Sequence, residues 1–427
     1  MVVTPPRVSL FSAAPLLAVA ALFVCGCDDG GGGPGGPTGP SGPGATVDGG
    51  AGGVGDLASP STTDDGGGVT APPDLSPAPA TVRVHYPAGT HALALRGDAT
   101  PLTWSTGVPL QPVAGEPDTF AYTIARLDKP AEVKPLLDDT TWSRGANYVV
   151  RPGETVDLYP HFITTSGRVV ELFPSFSSTI LGNSRRVWAY LPPSYDENPT
   201  ARYPVLYMHD GQNLFDAART AFGVEWGVDE TLNAAAEGDG LGERIREIIV
   251  VAPENAGAAR IDEYTPTYDK SEKAGGRGAL YLRFLVEELK PRVDAMLRTR
   301  PERESTGVMG SSLGGLISAY AALWHANTFG LIGEMSPSTW WNDAGLLNDV
   351  TTGATVTPRP TRIYVDCGMP GDDYVDTSKL VAAYTSTGWV EGQSFLHVYA
   401  PNAQHTESAW AKRLPAALRF LFGGRLP

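Results

Sequence analysis

The stretch Val308-Met309-Gly310-Ser311-Ser312-Leu313-Gly314-Gly315 decides how this chain is read. It sets a G-x-S-x-G pentapeptide centred on Ser312 between a short apolar run (Thr306 to Met309) and a helical run (Leu316 to Trp324). A strand, a sharp turn and a helix are the context a nucleophile elbow needs. A serine hydroxyl is a poor nucleophile at neutral pH. It must be held on that turn, with small residues two before and two after so the backbone can close, beside a base and a pair of backbone N–H donors. In a chain with 50 glycines the bare pentapeptide is a weak signal. Its position between strand and helix, with aspartates and a histidine downstream, makes it a strong one.

Outward from the elbow, strands alternate with helices from about Arg168 onward. Arg186 to Leu191, Tyr203 to His209, Glu247 to Ala252, Ser305 to Met309, Gly330 to Glu334, Thr361 to Asp366 and Ser394 to Tyr399 read as strands. Val228 to Ala235, Gly278 to Leu297, Leu316 to Trp324, Thr377 to Tyr384 and Glu407 to Leu421 read as helices. That alternation predicts an α/β domain over 166–427, with a mostly parallel sheet and helices on both faces.

An elbow serine works with an acid and a base that follow it in the order Ser, Asp or Glu, His, at the carboxyl ends of later strands. The strand Thr361 to Asp366 runs into Cys367-Gly368-Met369-Pro370-Gly371-Asp372-Asp373, and the next strand runs into Ala400-Pro401-Asn402-Ala403-Gln404-His405. His405 is expected as the base, against the plainer role of capping the helix that starts near Glu407. Asp372 is expected as the acid and Asp373 as the alternative, although Asp beside Gly is commonly only a turn residue. Asp366 is a third candidate. The oxyanion donors are expected from the backbone N–H of Leu313, after the nucleophile, and of Gln212 in the loop His209-Asp210-Gly211-Gln212-Asn213. His209, at the strand end, is expected to brace that loop. Trp340 and Trp341, together with Arg260, Glu263, Tyr264 and Glu225, fall in loops on the same rim and are candidate substrate contacts, core packing or anchoring being the plainer alternative for the tryptophans and Glu225.

Taken together, "YPVLYMHDGQNLFD", "GSSLGG", "YVDCGMPGDDY" and "QHTESAW…LPAALRFLFG" resemble the esterase D branch of the α/β-hydrolases. That branch includes enterochelin-type siderophore esterases, feruloyl and acetylxylan esterases, S-formylglutathione hydrolases and mycolyltransferases. The resemblance covers about Arg168 to Leu421. It implies an α/β-hydrolase fold with Ser312 as nucleophile, His405 as base and the acid in the glycine-rich turn after the strand Thr361 to Asp366. One extra residue after Gly368 departs from the commoner spacing and leaves Asp372 and Asp373 both open.

Further out, Thr81 to about Phe162 carries short β-rich runs separated by Gly, Pro and Asp turns. With no helix-period segment of useful length, 81–165 is expected to be a small β-sandwich, and it looks like the immunoglobulin-like or carbohydrate-binding modules that precede such esterases. The segment 28–80 is Gly, Pro, Ser, Thr and Asp with almost no large apolar residue. It cannot bury enough surface to offset its ordering entropy, so a flexible tether is expected. Arg7, the apolar stretch Val8 to Val24 and then Cys25-Gly26-Cys27 read as a secretory signal over 1–27. The small residue before Cys27 resembles a bacterial lipobox, implying cleavage before Cys27 and lipid on its sulfur. Cys25, after the bulky Val24, fits less well, and a plain secretory signal is the alternative.

The formal net charge of −15 argues against nucleic acid as a partner. No H-E-x-x-H motif is present and Cys367 has no second thiol partner, so neither metal nor cofactor is expected. The sequence therefore predicts an exported, membrane-tethered serine esterase of the bacterial cell envelope, acting through an acyl-enzyme on an ester-bearing carbohydrate or a siderophore-type ester. An acyltransferase with the same triad and a non-catalytic binding lipoprotein on the same scaffold are the alternatives.

Overall fold

The computed structural model describes residues 76–220, 223–238, 245–353, 359–369 and 371–423. The expected signal segment 1–27 with its Cys27 lies outside the described residues, as does the expected tether 28–80 up to its last five residues. Of those five, Ala78–Ala80 already belong to a strand, Ala78–His85, so the first strand begins slightly before the expected boundary.

Residues 78–158 form two small sheets. In the first, Thr119–Leu127 and Thr155–Leu158 flank Ala78–His85; in the second, Leu93–Gly97 pairs with Ala131–Leu137. Alternate residues of both sheets, among them Val82, Val84, Leu93, Leu95, Ile124, Val133 and Leu158, meet in one apolar cluster. Side chains on a strand alternate between faces, so each sheet contributes one face to that cluster.

The larger sheet comprises β1 (Arg168–Ser178), β2 (Asn183–Leu191), β3 (Val205–Met208), β4 (Ile249–Pro253), β5 (Thr306–Ser312), β6 (Leu331–Pro337), β7 (Arg362–Met369) and β8 (Phe395–Pro401). Their order is β1-β2-β4-β3-β5-β6-β7-β8. The β1–β2 and β2–β4 pairs are antiparallel and the remaining pairs parallel. Within the parallel block each strand points the same way, so the loops after β3, β5, β6, β7 and β8 open at one end, where ligands of such sheets sit.

Both faces are covered. Tyr207, Val251, Val308, Ile332 and Val365 point into a cluster with the helical stretch 278–296 and with α2 (Leu313–Trp324), α3 (Trp341–Thr352) and α4 (Tyr374–Ser386). Leu206, Met208, Val250, Met309 and Tyr364 point into a second cluster, under α1 (Val228–Glu237) and α5 (Glu407–Phe422). Strands sandwiched this way lose polar–apolar alternation, which is why β5 and β6 are buried almost along their whole length.

Three of the longer elements differ from the sequence expectation. The stretch 278–296 is not one regular helix: α-helical turns over Gly278–Arg283 and Lys290–Met296 flank a wider π-helical segment, Phe284–Leu289. Pro291 has no N–H to donate and its ring crowds the preceding turn, which accounts for the altered hydrogen bonding just before it. Helix α3 was not expected; its sequence is rich in Asn, Asp and Thr, and Asn342, Asp343 and Ala344 at its start carry positive φ. Strand β1 was also missed, because Pro174 and an exposed edge disguise it.

Candidate active site

Ser312 ends β5 with φ 59° and ψ −123°, and α2 begins at the next residue. A non-glycine residue there is strained by about 1–3 kcal/mol, held only because its surroundings demand it. Gly310 shows the demand: a Cβ there would lie 2.7 Å from the His209 ring and 3.0 Å from the backbone of Gly314. The expected closeness of the two small residues is thus a steric fact. Leu313, first residue of α2, brings its N–H to the positive end of the helix dipole.

Strand β6 carries the site onward. Its pairing with β5 slips between Ser311 and Ser312, so that Ser312 faces Pro337, and Ser336 takes a positive φ of 41°. Such irregularities re-aim side chains. Ser338 donates its N–H to the Ser312 carbonyl at 3.0 Å, and its Oγ lies 3.3 Å from Ser312 Oγ. Ser336 Oγ donates to Asp372 Oδ2 at 2.9 Å and accepts from Trp410 Nε1 at 3.0 Å and Arg413 Nη2 at 2.7 Å. One hydroxyl proton and two lone pairs are all used.

The two aspartates of the acid turn separate cleanly. Asp372 is buried and its Oδ1 lies 2.8 Å from His405 Nδ1, while Oδ2 also accepts from the Gly368 N–H at 2.5 Å. Burial by itself would raise the Asp372 carboxyl. The hydrogen bonds from His405 and Ser336, with the charges of His405 and Arg413, outweigh it and hold the carboxyl below its usual range. An ionised Asp372 accepts the Nδ1 proton of His405 and leaves Nε2 to face the nucleophile's side of the ring. Asp373 instead precedes α4 in a left-handed conformation, has an unpartnered Oδ2, and is pushed up to about 6 by burial and Asp376. The ring of Trp410 meets His405 edge to face at 4.9 Å. No hydrogen bond joins Ser312 to His405 among the described residues; Ser312 Oγ faces Ser338.

On the opposite side, Asp210 (φ 56°) and the turn Gly211–Asn213 follow β3. A Cβ on Gly211 would fall 2.2 Å from the Ala252 carbonyl oxygen, so only glycine fits. Asp210 is gripped by Arg260 through Nε and Nη2 at 2.7 and 2.8 Å, and by Asn255 Nδ2 at 2.7 Å. Gln212 accepts the Asn255 N–H on its side-chain oxygen at 3.2 Å. His209 is buried between Tyr281 Oη (2.9 Å) and Ser318 Oγ (3.1 Å), and burial pushes it down to about 3. It is neutral, and it sits between the loop and the elbow helix.

Several expected substrate contacts are corrected. Glu263 is wholly buried in an ion pair with Arg185 at 2.9 Å, and Tyr264 is wholly buried with its oxygen accepting the Asp210 N–H at 3.2 Å. Arg260 is committed to Asp210. Trp341 is buried and donates to the Thr267 carbonyl at 3.0 Å, whereas Trp340 remains 43% exposed. Each of these polar residues reads the same in sequence whether it meets a ligand or a buried partner. Asp366 lies in the core against Arg413 and not against His405. Glu225 joins Asp229 and Glu230 in a group of carboxylates within 4.8 Å of one another, a spacing that would admit a cation and that sequence reading did not foresee. Burial and Glu230 push Asp229 up to about 7, so the group can relieve its repulsion with a proton. Ser336, Ser338 and Arg413 escaped sequence reading altogether.

Residues 178–421 match the esterase family described as "Putative esterase", and the chain belongs to that family. Among relatives, it is 29% identical to the uncharacterized protein YbbA of Bacillus subtilis over 56% of this chain and 93% of that protein. It is also 29% identical to the iron(III) salmochelin esterase of Escherichia coli, over 38% of this chain and 34% of that protein. Among solved structures, an IroE-like serine hydrolase from Shewanella oneidensis is similar with a TM-score of 0.48 and 20% identity, covering 60% of this chain and 80% of the other.

Proposed function

We propose that this esterase is a serine carboxylic-ester hydrolase working through an acyl-enzyme. The observation that carries the reading is the 2.8 Å His405–Asp372 contact, tied through Ser336 to the strand end that also holds Ser338 against the strained Ser312. Ser312 Oγ attacks the ester carbonyl as His405 Nε2 takes its proton; Asp372 orients the ring and stabilises the imidazolium. The Leu313 and Gln212 N–H groups hold the oxyanion. His405 then protonates the leaving alcohol, and water releases the acyl group by the same steps in reverse. Reaching this arrangement requires Ser312 Oγ to exchange Ser338 for His405, a tightening that accompanies substrate binding in many such sites.

The substrate we favour is an ester-bearing carbohydrate or a siderophore-type ester; the relationship to an iron(III) salmochelin esterase supports the second. We read 78–158 as a β-sandwich, and the chain as an exported lipoprotein anchored through Cys27, a reading supported by the sequence of 1–80 alone. Rapid mixing with a chromogenic aryl ester tests the mechanism. A burst of alcohol stoichiometric with enzyme, followed by slower steady turnover, is expected. Turnover undiminished in Ser312→Ala would refute it.

A further inference from the structure

Behind the proposed acid lies a charge arrangement that triad chemistry alone does not require. Arg413, on α5, is 5% exposed; its Nη2 is 3.3 Å from Asp372 Oδ2 and its Nε is 3.0 Å from Asp366 Oδ2. Asp366, in β7, is wholly buried, with Oδ1 accepting the Ser336 N–H and Oδ2 the Tyr364 hydroxyl, each at 3.1 Å. A buried guanidinium beside a catalytic carboxylate cancels the charge that should stabilise the imidazolium. With Arg413 alone the pair would be neutral. Asp366 restores the sum to one negative charge, and it does so without touching His405.

We infer that Asp366 is a positioning residue for catalysis, whose carboxylate neutralises Arg413 so that Asp372 keeps its full charge for His405. This rests on the serine-esterase reading and deepens it. Arg413 and Ser336 hold Asp372 in place, Asp366 balances the cation that does the holding, and low dielectric makes each charge count. Burial pushes the Asp366 carboxyl up to about 6, while the charge and hydrogen bond of Arg413 pull it down and favour its ionised form. The other titratable groups around His405 and Asp372 are Asp373 at the start of α4 and Cys367 and Tyr364 of β7. Burial raises all three, Cys367 to about 12 and Tyr364 well above the ordinary tyrosine range, and both stay uncharged.

The test is the pH profile of kcat/KM on a small aryl ester. Asp366→Asn leaves Arg413 unbalanced, makes His405 less basic, and should move the acid limb down by about one pH unit with kcat lower about tenfold and KM unchanged. Asp366→Ser, which leaves room for water, replaces it if the Asn variant does not fold, and is read the same way. The double variant Asp366→Asn/Arg413→Gln removes both charges and should return the limb to its wild-type position, which a loss of packing would not do. A folded single variant with an unmoved limb, or a double variant displaced as far as the single, overturns the inference. Loss of the underlying esterase reading is distinguishable, because then Ser312→Ala would turn over as wild type does.

Discussion

At the residue scale, neighbours that look interchangeable in sequence occupy different places in the site. Ser311 is buried in β5 while Ser312 ends it at the strained elbow. Ser312→Ala should lose turnover on the order of a millionfold, and Ser311→Ala should keep most of it, with both chains folded by circular dichroism. Asp372→Asn should cost about four orders of magnitude, since an amide holds the imidazole in the wrong tautomer. Asp373→Asn should cost little, because the His405 ring hydrogen-bonds Asp372 and not Asp373; steady-state kinetics on the two variants reads the difference, and a larger loss at Asp373 would reverse the assignment. The sequence narrowed the acid to Asp372 and Asp373, with Asp366 as a third candidate, because turn position and chain order are local properties. Only a three-dimensional contact separates them. Glu263 and Tyr264, both wholly buried, were misread for the complementary reason: a polar loop residue facing a ligand and one facing a buried partner carry the same letter.

At the element scale, the strands and helices around the elbow were legible because hydrophobic period and glycine placement are written locally. The slip between β5 and β6 was not, and it is what delivers Ser336 and Ser338 to the site. Helix α4, which follows the acid turn, is held to β6 by an element contact of unusual chemistry. Glu334 in β6 is wholly buried, accepts the Tyr384 hydroxyl at 2.7 Å, and is pushed up to about 8 by burial. Its folded-state value is raised above the unfolded one, so its neutral form favours folding fully below about pH 4.5, and that contribution is lost as pH rises toward 8. Glu334→Gln keeps the neutral hydrogen-bonding partner at every pH. Urea midpoints measured from pH 5 to pH 8.5 should fall for the wild type by an amount worth a few kcal/mol and stay flatter for the variant. Parallel curves would show that Glu334 ionises without consequence for the fold.

At the scale of the whole molecule, the two small sheets are joined to the larger domain by buried and half-buried polar contacts. Glu197 accepts the N–H groups of Phe162 at 2.6 Å and Thr164 at 2.8 Å and the Tyr86 hydroxyl at 3.0 Å, and Asn198 donates to the carbonyls of His85 and Pro160 at 2.9 and 3.0 Å. A chain truncated to begin at Gly167 leaves these groups without partners, at about 1–3 kcal/mol for each one left buried. It should melt lower yet hydrolyse a small aryl ester at the wild-type kcat, because every proposed catalytic group lies beyond residue 200. A folded truncated chain without turnover would show that the small sheets complete the site. Upstream, Cys27→Ala should release the protein from membranes with its kcat unchanged, as fractionation would show. Composition suggests the tether and the signal segment, which lie outside the described residues, whereas the dense junction between the domains left no trace in it. The most direct test of the account is covalent: a fluorophosphonate added to the intact protein, followed by proteolysis and mass spectrometry. The account predicts one adduct, on Ser312 in the peptide containing Gly310-Ser311-Ser312-Leu313-Gly314, lost together with ester turnover in Ser312→Ala. An adduct on another residue, or full turnover by a protein whose Ser312 remains unlabelled, would contradict it.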